Sequence, residues 1–214
     1  MTDGTYSDTG VFVCFEGGDG AGKSTQSRAL SEWLRESGYS VCLTFEPGGT
    51  TVGKQLREIV LGHSTGELSA RTEALLYAAD KAEHVDTVVL PALQRGEVVI
   101  TDRYVDSSLA YQGAGRVLDL GEVTTLQRWA TGDLRPHLTV VLDVEPDQGL
   151  GRLEARDRIE AEGAAFHQRA RQAFLDFAAA DPDHYVVIDA RSPVDEIAAA
   201  VRTGVEPLLT RAVR

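Results

Sequence analysis

Residues 15–25 read FEGGDGAGKST. Within them Gly17–Ser24 satisfies the pattern G-x-x-x-x-G-K-[ST], whose physical content is a chain reversal with backbone N–H groups and little side-chain bulk in the way of an anion. The pattern has meaning only between a strand and a helix, and both flank it. VFVCF (11–15) is a short continuous apolar run, and a helical pattern opens at Ser24 or Thr25 and runs to Ser37 before Gly38. The N–H groups of Gly17, Gly18, Asp19, Gly20, Ala21 and Gly22 and the positive end of the helix then form a phosphate cradle. On this reading Lys23 reaches the β and γ phosphates of a nucleoside triphosphate, Ser24 offers its hydroxyl to Mg2+, and Thr25 belongs to the same site. An acid in the middle of such a cradle, Asp19, needs a separate account.

Outward from this loop, SVCLTF (40–45), EVVITD (97–102), LTVVLDV (138–144) and YVVID (185–189) are again short and continuously apolar, which suits strands buried on both faces. Five parallel strands are expected, with helices between them. One of these is the run Ser69 to Leu90, stopped by Pro91. Such alternation predicts an α/β domain of three layers over residues 10–214, after a flexible tail at 1–9. RLEARDR (152–158), followed by Gly163, is charged on almost every face. It reads either as a solvated helix end or as a mobile, arginine-bearing lid near 151–163.

A chain of 214 residues, 43% hydrophobic, is long enough for one well-buried core. Its formal charge of −12 repels polyanions, which argues against nucleic acid as a partner and requires any anionic ligand to be met by a local cluster of cations and N–H groups. Cys14 and Cys42 fall inside apolar runs, as buried thiols of a reducing cytoplasm do. No basic segment followed by an apolar one opens the chain, and no apolar run reaches the ~18 residues of a membrane span, so a cytoplasmic protein without a membrane partner is expected. An N-K-x-D guanine-reading motif is absent, which weighs against a regulatory GTPase switch.

With FEPGGT (45–50), LLYAADKAEH (75–84) and DRYVDSSLAYQGAGR (102–116) following the loop in this order, the chain resembles the thymidylate kinases from about Val11 to Ala190. The resemblance implies a P-loop NTPase fold, transfer of the γ-phosphoryl of ATP to dTMP, Mg2+ as cofactor and a homodimer. It turns Asp19 toward the acceptor's 3′-hydroxyl and the water around the metal, and it places Asp102 near Mg2+ through water. It makes Arg103 the holder of the acceptor phosphate, with Arg57 as a second one unless Arg57 is simply a solvated helix charge. Tyr77 takes the position of the ring stacked on thymine, Ser108 that of a hydrogen-bond partner of the base, and Tyr111 that of the residue packed against the 2′ carbon; Gln112 belongs to the same site. Arg156 takes the position of the lid arginine that reaches the transferring phosphoryl, while Arg152 lies over the adenine or on a helix surface. Two departures stand out: Lys81 where the family usually has arginine, and Phe45 where many members have arginine. Another nucleoside monophosphate kinase of the same fold remains the nearest alternative.

Overall fold

The five Val-, Ile- and Leu-rich runs pair as a wholly parallel sheet in the computed structural model, which describes residues 4–153 and 155–212. The strands are β1 (Val11–Gly17), β2 (Val41–Phe45), β3 (Val98–Asp102), β4 (Leu138–Asp143) and β5 (Tyr185–Asp189), in the spatial order β2-β3-β1-β4-β5. Alternation along β1 divides the core into two layers. Val11, Val13 and Phe15 pack with Leu30 and Leu34 of α1 (Lys23–Glu36) and with Ile197, Val201 and Val205 of α9 (Val194–Val205). Phe12 and Cys14 face the opposite layer with Val89, Leu93 and Tyr104.

The helices between the strands start where polar caps are available. Thr50 accepts from Gly53 N at the head of α2 (Thr51–Leu61), Ser69 from Thr72 N before α3 (Ala70–His84), and Asp119 from Glu122 N before α6 (Leu120–Thr131). Pro91 does not stop the helical run, contrary to expectation. A π-helical segment at Val85–Val89 loosens the ladder just ahead of it, and Pro91 then sits in the first turn of α4 (Leu90–Gln94), where an N–H is not required. After β3 come the short α5 (Val105–Ser108) and a second π-helical segment, Leu109–Gly115. α7 (Pro146–Leu150) leads into the expected lid, and α8 (Ala164–Ala180) leaves it after Gly163.

Residues 4–9, within the expected tail, make specific contacts; residues 1–3, like Glu154 of RLEARDR, lie outside the described residues. Thr5 forms a parallel bridge with Leu134, donating from its N–H to the Asp133 carbonyl at 2.9 Å and accepting from Arg135 N at 2.8 Å. Tyr6 stacks on His184 with ring centroids 4.7 Å apart. A ring contact and two ladder bonds supply what a short polar segment lacks on its own.

Close packing of the loop after β1 sets a stringent demand on its glycines. Gly17 has φ +127, and a Cβ there would run into the Leu142 carbonyl of β4. Gly20 has φ +72 and faces the Gly149 carbonyl of α7 in the same way. Gly17→Ala is expected to destabilise the fold by about 2 kcal/mol or more, read as a melting temperature lower by several degrees. An unchanged melting curve would show that the loop relaxes around a Cβ.

Candidate active site

Because β2, β3 and β1 are neighbours in register, with Phe15 and Phe45 both beside Asp102, the loops that leave their carboxyl ends converge. That edge is where open parallel sheets present ligands. On the β1 side the Lys23 ammonium is buried and donates to the carbonyls of Gly17 (3.1 Å) and Gly18 (2.7 Å). Burial, then the positive charge of Arg103, pushes it down from the usual lysine range. Ser24 Oγ donates to Asp102 Oδ2 at 2.5 Å, which brings together hard oxygen atoms from the start of α1 and the end of β3. Gly20, Gly22, Lys23, Ser24 and Thr25 line a first cavity here, and Arg152 closes it by donating from Nη1 to the Gly20 carbonyl at 3.1 Å.

Asp19 points away from this cradle. Its carboxylate is bound by the Arg103 guanidinium and accepts from the Tyr111 hydroxyl at 3.1 Å. Burial works to raise its pKa, but the charges of Arg103 and Lys23, with the bond from Tyr111, outweigh burial and hold the carboxyl below its ordinary range. Arg103 has the left-handed φ of 72, and its other nitrogen donates to the Gly17 carbonyl (3.2 Å) and the Ser107 hydroxyl (3.0 Å).

A second cavity opens on the far side of this pair. Arg57 lines it, anchored by a bond from Nη1 to the Pro47 carbonyl at 2.8 Å and lying over the Phe45 ring at 5.9 Å. Tyr77, Ser108, Tyr111 and Gln112 are neutral residues of its wall, which also carries Asp157. The two cavities share Asp19, Glu46, Arg57, Arg103 and Glu160, so they meet end to end at a junction carrying two guanidinium groups.

The thymidylate kinase family model matches residues 15–201. A thymidylate kinase of Cutibacterium acnes is 56% identical over 94% of this chain and 99% of its own length, and one from Synechococcus is 50% identical over 93% and 96%. The crystal structure of the thymidylate kinase from Ehrlichia chaffeensis superposes with a TM-score of 0.78 at 30% identity, covering 92% of this chain and 99% of that one. The chain belongs to the thymidylate kinase family.

Two residues that the thymidylate kinase resemblance assigns to ligands are placed elsewhere. Lys81 lines neither cavity; it is buried behind the wall, 3.3 Å from Glu46 Oε2, and donates to Ser108 Oγ at 3.0 Å. Arg156 is exposed outside both cavities, and its carbonyl accepts from His63 Nε2 at 3.0 Å. Among the arginines of 152–158, Arg152 reaches the first cavity, whereas Arg158 is spent on the Val60 carbonyl and Glu73. Two arginines four residues apart in a charged segment look equivalent in sequence; only the path of the turn separates them.

Sequence reasoning passed over three glutamates. Glu160 sits on the shared wall, its carboxyl raised by burial. Glu73 is taken up below. Glu16, fully buried at the end of β1, accepts from Tyr104 N (2.9 Å), Ser107 N (3.0 Å) and Ser107 Oγ (2.7 Å), and so holds the turn that aims Arg103. A charged residue interrupting a buried strand immediately before the loop was the available signal.

Burial, then the charge of Asp106, pushes the Glu16 carboxyl up to about 7, against the opposing charge of Arg103 and the bonds from Ser107 and Tyr104. A carboxyl whose folded value lies above its unfolded one favours folding most at low pH, and that contribution is lost as pH rises from about 4.5 through about 7. Glu16→Gln abolishes this titration. The melting-temperature difference between variant and wild type is therefore expected to move in the variant's favour between pH 5 and pH 7.5; a difference constant over that range would contradict the assignment.

Proposed function

We propose that the chain transfers the γ-phosphoryl group of ATP to the 5′-phosphate of dTMP, giving dTDP and ADP. The observation that carries this reading is the pair of cavities joined at Arg103, Arg57 and Asp19, with the phosphate-binding loop on one side and a pocket walled by Tyr77, Tyr111, Ser108 and Gln112 on the other. Phosphoryl transfer asks mainly that two anions be held in line and their charge neutralised. The loop amides and Lys23 hold the donor, Arg103 and Arg57 hold the acceptor phosphate, and Asp19 fixes Arg103 while facing the acceptor sugar. Tyr111, wedged near Phe166 and Phe174 with its hydroxyl on Asp19, supplies the bulk that disfavours a ribose 2′-hydroxyl.

Ser24 and Asp102 suit Mg2+, a hard cation that takes one or two protein oxygens and completes its shell with phosphate and water. When bound it would neutralise charge on the transferring phosphates. Arg152, already at the loop, is the lid cation nearest the donor. Among the described residues no helix is long and apolar enough to cross a membrane, and both cysteines are free thiols, which fits a reducing cytoplasm.

An assay across all nucleoside monophosphates should find dTMP the best acceptor; a better turnover of another monophosphate would move the chain to a different kinase specificity. Arg103→Ala should lower kcat/KM for dTMP by roughly 10²-fold or more, because it also strands the Asp19 carboxylate. Little change would remove Arg103 from the acceptor site.

The same reading includes a homodimer. Leu75 is 57% exposed on α3 and Trp129 is 82% exposed on α6. Arg71, one turn before Leu75, pairs with Glu122, two turns before Trp129, so the two apolar side chains share one face away from the cavities. Trp129→Lys should convert a dimer to a monomer in sedimentation without unfolding it; a dimer that persists would place the contact elsewhere.

A further inference from the structure

Two side chains at the neutral end of the acceptor cavity have their polarity dictated from behind. Gln112 donates from Nε2 to Glu73 Oε1 at 3.0 Å. Glu73 is fully buried and also receives Arg116 through Nε (3.1 Å) and Nη2 (3.0 Å), and Arg158 through Nη2 (2.6 Å). These bonds overcome burial and hold its carboxyl below the usual range. An ionised carboxylate accepts only, so the amide of Gln112 cannot be turned round, and its carbonyl oxygen and second amide N–H are the groups left for the cavity. Ser108 is under the opposite constraint. The Lys81 ammonium, which can only donate, donates a hydrogen bond to Ser108 Oγ at 3.0 Å, so the hydroxyl accepts there and its own O–H is left to donate. Glu46 and His84, bonded at 2.7 Å, keep Lys81 in place.

Ser108 and Gln112 are four residues apart on one helical run and both line the same wall. With Arg103 and Arg57 at the other end for the phosphate, the base of an acceptor nucleotide lies against this wall. We propose that Glu73 and Lys81 are specificity-determining positioning residues, which set a fixed acceptor on Gln112 beside a fixed donor on Ser108 and so select a 4-keto pyrimidine over a 4-amino one. A 4-keto pyrimidine offers a ring N–H to Gln112 and a carbonyl to Ser108. A 4-amino pyrimidine offers a bare ring nitrogen to the Gln112 carbonyl and an amino group to the Ser108 proton, like facing like at both points. The inference rests on the proposed acceptor site and explains why lysine serves at position 81 without touching the base.

The test compares dTMP with 5-methyl-dCMP, which has the same methyl group, sugar and phosphate and differs only in the 4-substituent and the ring proton. Wild type should prefer dTMP by on the order of 100-fold or more in kcat/KM. Lys81→Met frees Ser108 to accept and Glu73→Gln frees the amide to turn, and each should shrink the preference by about tenfold or more. Lys81→Arg, which still donates to Ser108, should restore most of it. Folded variants in which both substrates lose kcat/KM in parallel, with the preference intact, would overturn the inference and leave only a structural role. If stranding Arg116 and Arg158, or Glu46, prevents folding, Ser108→Ala decides: it leaves both ion networks whole and should still shrink the preference, and an undiminished preference overturns the proposal. Wild type that phosphorylates neither pyrimidine sinks the functional reading together with this one, whereas wild type active on dTMP with an unaltered preference in the variants sinks this one alone.

Discussion

The contact between Arg103 and Asp19 is the constraint on which the rest of the site depends. It ties the loop after β1 to the loop after β3, with the Gly17 carbonyl and the Ser107 hydroxyl as further anchors. Neither charge could be buried alone, since an unpaired buried charge costs several kcal/mol, so each residue requires the other in place. The pair also settles the question raised by an acid inside a phosphate cradle. Asp19 turns outward from the cradle, onto Arg103 and the Tyr111 hydroxyl. In a chain of net charge −12, Lys23, Arg57, Arg103 and Arg152 gather at one cavity beside Asp19, Glu46, Asp102 and Glu160.

Behind the groups that face the cavities stands a layer of buried carboxylates. Glu16 gathers the N–H groups that bend the chain at Arg103, Glu46 holds Lys81 and His84, and Glu73 gathers Gln112, Arg116 and Arg158. Each acts in the same physical way: a buried carboxyl that receives several donors leaves them one orientation. Such a layer makes side chains rigid before any ligand arrives, which is how a site avoids reorganisation when charge moves. The Glu73 cluster reaches further, because Arg158 and, through Arg116, Glu162 belong to the lid segment while Gln112 belongs to the acceptor wall. One carboxylate therefore anchors both.

Much of this was legible in the residues. Continuous Val, Ile and Leu runs can hardly be anything but strands covered on both sides, and the glycine-rich loop between the first run and a helical pattern has one workable geometry. The donor-side residues Gly20, Gly22, Lys23, Ser24 and Thr25 follow directly from that geometry. Pro91 was misread because its missing N–H ends a helix only if the turn before it is regular, and the π segment at Val85–Val89 is not. The contacts of the chain start are not legible in its residues, because Thr5 and Tyr6 meet partners more than a hundred positions away, Leu134 and His184.

What the sequence determined by itself is local: the strand periods, the cradle, the caps, and the order of motifs along a sheet edge. These depend on neighbours within a few residues, where chemistry and spacing suffice. What only the tertiary structure decided is depth and direction: that Lys81 lies behind the wall while Ser108 lies in it, that Arg152 and not Arg156 reaches the cradle, and that Glu16, Glu46 and Glu73 are buried supports although glutamate is ordinarily a surface residue. Depth is a property of packing between distant segments, and whether a charge faces water or a partner is settled only when those segments close around it.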